Sequence, residues 1–139
     1  MYQHILLAAD GSENSVRAAT EAIKLAKSSI DSILELVMVV DIEKSKQDVL
    51  HSRSSESLLI ERRRRISNVE QLLIDEHLNY KITILKGAPG PEIIRYANEQ
   101  KVDILVIGSR GLNGLQEMVL GSVSHKVMKH VQCPALIVK

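Results

Sequence analysis

The stretch ILVIGSRGLNGLQEMVLGSVS, residues 104–124, decides the fold. It opens on an unbroken apolar run, Ile104 to Ile107, passes Gly108, Gly111 and Gly114, and reaches Gly121 and Ser122 where helical spacing begins. A short apolar run without alternation is how a strand reads when helices cover both of its faces. Glycines after such a strand let backbone N–H groups converge on one point, and the N-terminus of the next helix adds partial positive charge. Strand, glycine loop and helix start together describe a phosphate site. Ser122 and Ser124 bring hydroxyl donors to it, and Arg110 brings a charge partner. A plainer reading stays open, in which the glycines only turn a long connection, Ser122 caps the last helix and Arg110 is solvated.

Outward from this stretch, four further apolar runs mark strands: Ile5 to Ala9, Ile33 to Val40, Ile82 to Leu85 and Ala135 to Val138. Segments of helical period separate them. Val16, Ala19, Ile23, Ala26 and Ile30 form one stripe, with Ser12 or Asn14 available as its N-cap. A second helix is predicted from about Ser54 to His77 on the spacing of Leu58, Leu59, Ile66, Val69, Leu72 and Leu73. Pro91 suits the first turn of a third, with Ile93, Ile94 and Ala97 inward. Leu120, Val123, Val127 and Val131 predict a last helix stopped by Pro134. The order β-α-β-α-β-α-β-α-β requires right-handed crossovers, so the expectation is one α/β domain over residues 1–139. It is a doubly wound, open five-stranded parallel sheet with helices on both faces. Such sheets bind ligands beyond the C-terminal ends of their strands, where the strand order reverses. Asp41 to Ser57, polar and free of glycine, is the one long connection and a candidate flap.

Composition narrows the function. Of 139 residues, 45% are hydrophobic and 2% aromatic, with three Tyr and no Phe or Trp. The core is therefore aliphatic, and no aromatic platform for stacking bases exists. Eighteen Lys and Arg against seventeen Asp and Glu leave a formal charge of +1, too little to draw the chain to nucleic acid or an anionic membrane. The run Arg62 to Arg65 fans around a helix and makes no flat patch; Glu61 and Arg65 are spaced as an i, i+4 pair. The single cysteine, Cys133, rules out an internal disulfide and suits a reducing compartment, where it acts as a small buried hydrophobe. His4, His51, His77, His125 and His130 show no metal-ligand spacing. No basic leader precedes the first apolar run and no stretch nears the roughly 20 residues that cross a bilayer, so a cytoplasmic protein is expected.

Written as a spacing, Gly108-x2-Gly111-x9-Gly121-Ser122 resembles the ATP-binding signature of universal stress proteins, G-2x-G-9x-G-S/T. The segment from His125 to Lys139 is similar to that family's last helix and strand, and Ile5 to Ser15 to its first strand and helix start, so the likeness spans nearly the whole chain. The resemblance implies a Rossmann-like adenine-nucleotide fold. It sets Asp10 by adenine and ribose, the Val39 backbone at the adenine edge, and Gly108 and Gly111 over ribose and phosphates. Gly121, Ser122, Val123 and Ser124 would then hold the phosphates. Ala8 stands where the family often has proline, which removes a rigid wall from the adenine pocket. From the residues alone, Asp10 is equally an N-cap of the first helix.

The function expected is a nucleotide-dependent regulatory module with ATP as ligand and Mg²⁺ carried on it, since no Walker lysine motif or carboxylate pair equips the chain for rapid hydrolysis. The alternative is a dimeric adaptor of the same fold that uses no nucleotide. An ATP pyrophosphatase would want an S-G-G-x-D-S loop after the first strand, a flavin protein more aromatic residues, and a phosphoacceptor receiver more carboxylates than Asp10. Ala135 to Lys139 leaves an uncovered sheet edge, and with the resemblance it predicts a two-fold homodimer through antiparallel C-terminal strands.

Overall fold

Five strands pair only in parallel: β1 (His4–Ala8), β2 (Ile33–Val40), β3 (Tyr80–Lys86), β4 (Ile104–Gly108) and β5 (Ala135–Val138), in the order β3-β2-β1-β4-β5. The computed structural model describes residues 2–41, 55–110 and 121–139, and within these only the backbone of Ser55, Glu56, Leu58, Leu59 and Arg62. Five helices are described: α1 (Glu13–Ala26), α2 (Ser55–Arg65), α3 (Ser67–Asp75), α4 (Pro89–Gln100) and α5 (Ser122–His130). β1 is central and entirely apolar beyond His4, because it is covered twice. Its Ile5 and Leu7 face α1 and α3 through Ala18, Ala22, Val69 and Leu73, while Leu6 and Ala8 face α4 and α5 through Ile93, Ala97 and Val127. The expected doubly wound sheet with helices on both faces is the fold observed.

β2 and β5 occupy the predicted residues, and β3 is longer at both ends because Tyr80 and Lys86 still pair with Leu34 and Val40. Two helices differ from expectation. The single helix predicted over about Ser54 to His77 is broken at Ile66, whose φ of −96° and ψ of 6° leave the helical region. Ile66 is fully buried there with Val69 and Leu73, so the break turns α3 onto the sheet. It also ends α2 against the turn after β1: a Cβ on Gly11, whose φ is +87°, would lie 2.1 Å from the Arg65 carbonyl oxygen. Ile30 is 97% exposed instead of closing the α1 stripe. Helix α1 stops at Ala26, and the Ser28 hydroxyl donates to the Leu25 carbonyl at 2.6 Å, competing with continued helix. Residues 42–54 of the candidate flap, and Leu120, lie outside the described residues.

Toward the N-terminal ends of the strands the sheet buries a charge. Glu35 of β2, fully buried, accepts from Thr83 Oγ1 at 2.5 Å and from the Tyr96 hydroxyl, and pairs with His4 Nε2 at 2.7 Å. Burial pushes its carboxyl up, but the hydrogen bonds from Thr83, Tyr96 and His4, with the Lys81 ammonium nearby, reverse the sign and hold it below the ordinary glutamate value. Burial and that same hydrogen bond push the Tyr96 phenol up.

Candidate functional site

The strand order reverses between β1 and β4. After β1 the chain enters α1 on one face, and after β4 it goes on to α5 on the other, so the two connections diverge above the C-terminal ends of the strands. Every predicted site residue that is described lies around this opening.

On the β1 side, Ala8 ends the strand, buried. Asp10 is half-buried, and its Oδ1 accepts the Ser12 N–H at 3.0 Å. The N-cap of α1 is therefore Ser12, whose Oγ accepts the Ser15 N–H at 3.1 Å; neither Asp10 nor Asn14 has that role. Gly11, with a positive φ, makes the turn that brings the Ser12 N–H round to the Asp10 carboxylate. Val39 sits past the end of β1: the register stops at Ala8 and Val37, with one further bond from the Ala9 N–H to the Val37 carbonyl at 3.1 Å. Strand groups two residues apart point the same way, so the N–H and C=O of Val39 face the side from which β1 has turned off.

On the β4 side, a Cβ on Gly108 would lie 2.5 Å from Asn14 Oδ1. Glycine is needed here to seat a side chain of the protein itself. Asn14 is 4% exposed; its Oδ1 accepts the Arg110 N–H at 2.5 Å and its Nδ2 donates to the Val138 carbonyl at 3.0 Å. In the sequence Asn14 reads only as an N-cap candidate, although it stands four and eight residues before the buried Ala18 and Ala22 and so continues their inward row. Its placement there is the signal that was available.

The loop is pinned at its neck. The Gly121 N–H donates to the Ser109 carbonyl at 2.7 Å, and the buried Ser124 hydroxyl donates to the same oxygen at 2.8 Å. The Ser124 proton is thus spent inside the fold, whereas Ser122 is exposed at the first position of α5 and Val123 is half-buried. Gly121 is the N-cap and has no side chain to cap with. The first bond of α5 runs from the His125 N–H to the Gly121 carbonyl at 3.0 Å, so the N–H groups of Ser122, Val123 and Ser124 precede it. No acidic residue stands in this first turn, and Lys129 and His130 close the last. The dipole therefore presents its positive end at the opening. Gly111 lies outside the described residues. Among the described residues no group of three or more His, Cys, Asp or Glu side chains is arranged to hold a metal ion.

The model of the universal stress protein family matches residues 1–139. This chain belongs to that family. Universal stress protein MJ0531 of Methanocaldococcus jannaschii is 32% identical over 100% of this chain and 83% of its own length. The solved structure of MJ0577, a universal stress protein of the same organism, superposes with a TM-score of 0.87 at 30% identity, covering 100% of this chain and 96% of that one. The universal stress protein from Archaeoglobus fulgidus in complex with dAMP shares the fold, with a TM-score of 0.75 at 20% identity over 99% and 98% of the two chains. Among the described residues of this universal stress protein, no helix is long and apolar enough to cross a membrane.

Proposed function

We propose that this universal stress protein binds ATP, with Mg²⁺ carried on the phosphates, and acts as a nucleotide-dependent regulatory module of the cytoplasm. The observation that carries the reading is the N-terminus of α5: three backbone N–H groups with no side-chain cap among the described residues, at the reversal point of a doubly wound sheet. Phosphates suit these amides and the Ser122 hydroxyl. The Val39 backbone, past the end of β1, suits the adenine edge, Asp10 the ribose, and Ala8 the floor between them. Gly121 keeps the neck narrow, since a Cβ there would already stand 3.3 Å from the Ser109 carbonyl oxygen. A solved relative of this fold carries dAMP, which agrees with an adenine nucleotide. The metal would keep its water and phosphate ligands, as Mg²⁺ does. Because the sequence carries no Walker lysine motif, the module binds and reports; it does not turn over rapidly.

The test is calorimetric titration of nucleotide-stripped protein with Mg-ATP, with GTP and a Gly121→Val variant as controls. Saturable ATP binding, selective over GTP and lost in the variant, is expected. Absence of ATP heat would favour an adaptor that uses the fold alone. The β5 edge supports a two-fold homodimer, and a monomeric mass by sedimentation at micromolar concentration would overturn that part.

A further inference from the structure

We infer that Asn14 is the positioning residue through which occupancy of the β4–α5 neck stiffens the edge strand β5, an inference that rests on the nucleotide-binding reading. The Val138 carbonyl accepts twice, from the Ser109 N–H at 2.7 Å and from Asn14 Nδ2 at 3.0 Å, which fills both of its lone pairs. The other end of the same amide holds the Arg110 N–H. Ser109, Arg110, Asn14 and Val138 thus close one ring of hydrogen bonds that joins the neck of the loop to the last strand. The Ser109 carbonyl extends the ring to α5 through Gly121 and Ser124.

The amide is planar and buried, and the hollow left by Gly108 leaves it little room to turn. One amide grips both elements, so it cannot stay ordered at one end and free at the other. A ligand on the α5 amides orders Gly121 and Ser109, and the cost of ordering Val138 then falls. Coupling of this kind needs no displacement, only a shared loss of freedom. It reaches the strand whose outer edge is the one the dimer would use. The Arg17 guanidinium, which donates to the Lys139 carbonyl at 2.8 Å, anchors the end of that strand to the same helix as Asn14.

Hydrogen exchange read by mass spectrometry tests this, on wild type, Asn14→Ala and Asn14→Asp. Each is measured with and without Mg-ATP at saturation set by its own calorimetric titration. The Asn14→Asp variant keeps an acceptor for the Arg110 N–H but turns an oxygen toward the Val138 carbonyl, so it cuts one arm alone and carries the test should the alanine variant unfold. In wild type, Mg-ATP is expected to slow exchange in the peptide spanning residues 132–139 about tenfold, within the usual range of coupling between sites. In both variants the slowing falls below about twofold. Equal slowing in wild type and a folded variant overturns the role of Asn14 and leaves nucleotide binding standing. No heat of binding in wild type overturns the functional reading and the coupling together.

Discussion

The two ends of the sheet handle polarity in opposite ways. At the N-terminal end a full charge is buried, and the chain itself supplies its partners: the Glu35 carboxylate has His4, Thr83 and Tyr96, drawn from two other strands and a helix. At the C-terminal end the groups that the helix start presents are weaker, backbone amides, yet among the described residues the first three of α5 have no helical acceptor and no side-chain cap. Buried charge alone would have ranked the first end as the functional one. A polar group answered within the fold serves the fold, whereas one left facing an opening is available to a ligand.

The sharpest way to break this contrast is Glu35→Ala. Leaving three donors without a buried acceptor should cost about 3–5 kcal/mol in urea denaturation, while Mg-ATP affinity stays within about twofold, because sites this separate act additively. An affinity loss on the scale of the stability loss would mean that the two ends are one unit. Acid adds a second view of the same end. The folded Glu35 carboxyl lies below its unfolded value, so the folded state holds fewer protons in that interval. Its stabilisation is complete above the unfolded value, about 4.3, and drains away as pH falls through the folded one. Glu35→Gln should flatten that acid limb of the stability profile. At the other end, Gly108→Ala drives a Cβ into Asn14 and should cost about 2 kcal/mol. Combined with Asn14→Ala, which empties the collision, the loss should be less than additive by about 1 kcal/mol. The smallest effect is expected of Ser122→Ala: stability within about 0.5 kcal/mol of wild type, and ATP binding weaker about fivefold, the worth of one hydrogen bond.

Much of this was legible in the sequence, for physical reasons that differ by residue. Strands β2 and β5 could be bounded to the residue because their apolar stretches end abruptly against polar neighbours, and the glycine spacing located the neck of the loop. The break at Ile66 was not legible, because it depends on α2 ending against Gly11, more than fifty residues away in the chain. The resemblance implies a ligand over Gly108, and the structure shows that Asn14 already requires a glycine there. Asn14 looked like an ordinary helix-start residue because both of its partners, Arg110 and Val138, are remote in sequence. For Ser124 the residue type was right for a hydroxyl donor, but no sequence pattern states which way the proton points. Glu35 passed unnoticed inside an apolar run, since a buried carboxylate is recognisable only once its donors are assembled around it.

The central place of β1 has a consequence for how the protein is made. Ile5 pairs with Ile104, so β1, once it has left the ribosome, lacks one of its two neighbours until about a hundred more residues have followed. At the usual pace of synthesis that is about 5–20 seconds. During this time the apolar segment Ile5 to Ala9 has only β2 beside it, and productive closure of the sheet waits for the very stretch that carries the glycine loop. A chain truncated before Ile104 would keep an open central edge, and aggregation is its expected fate.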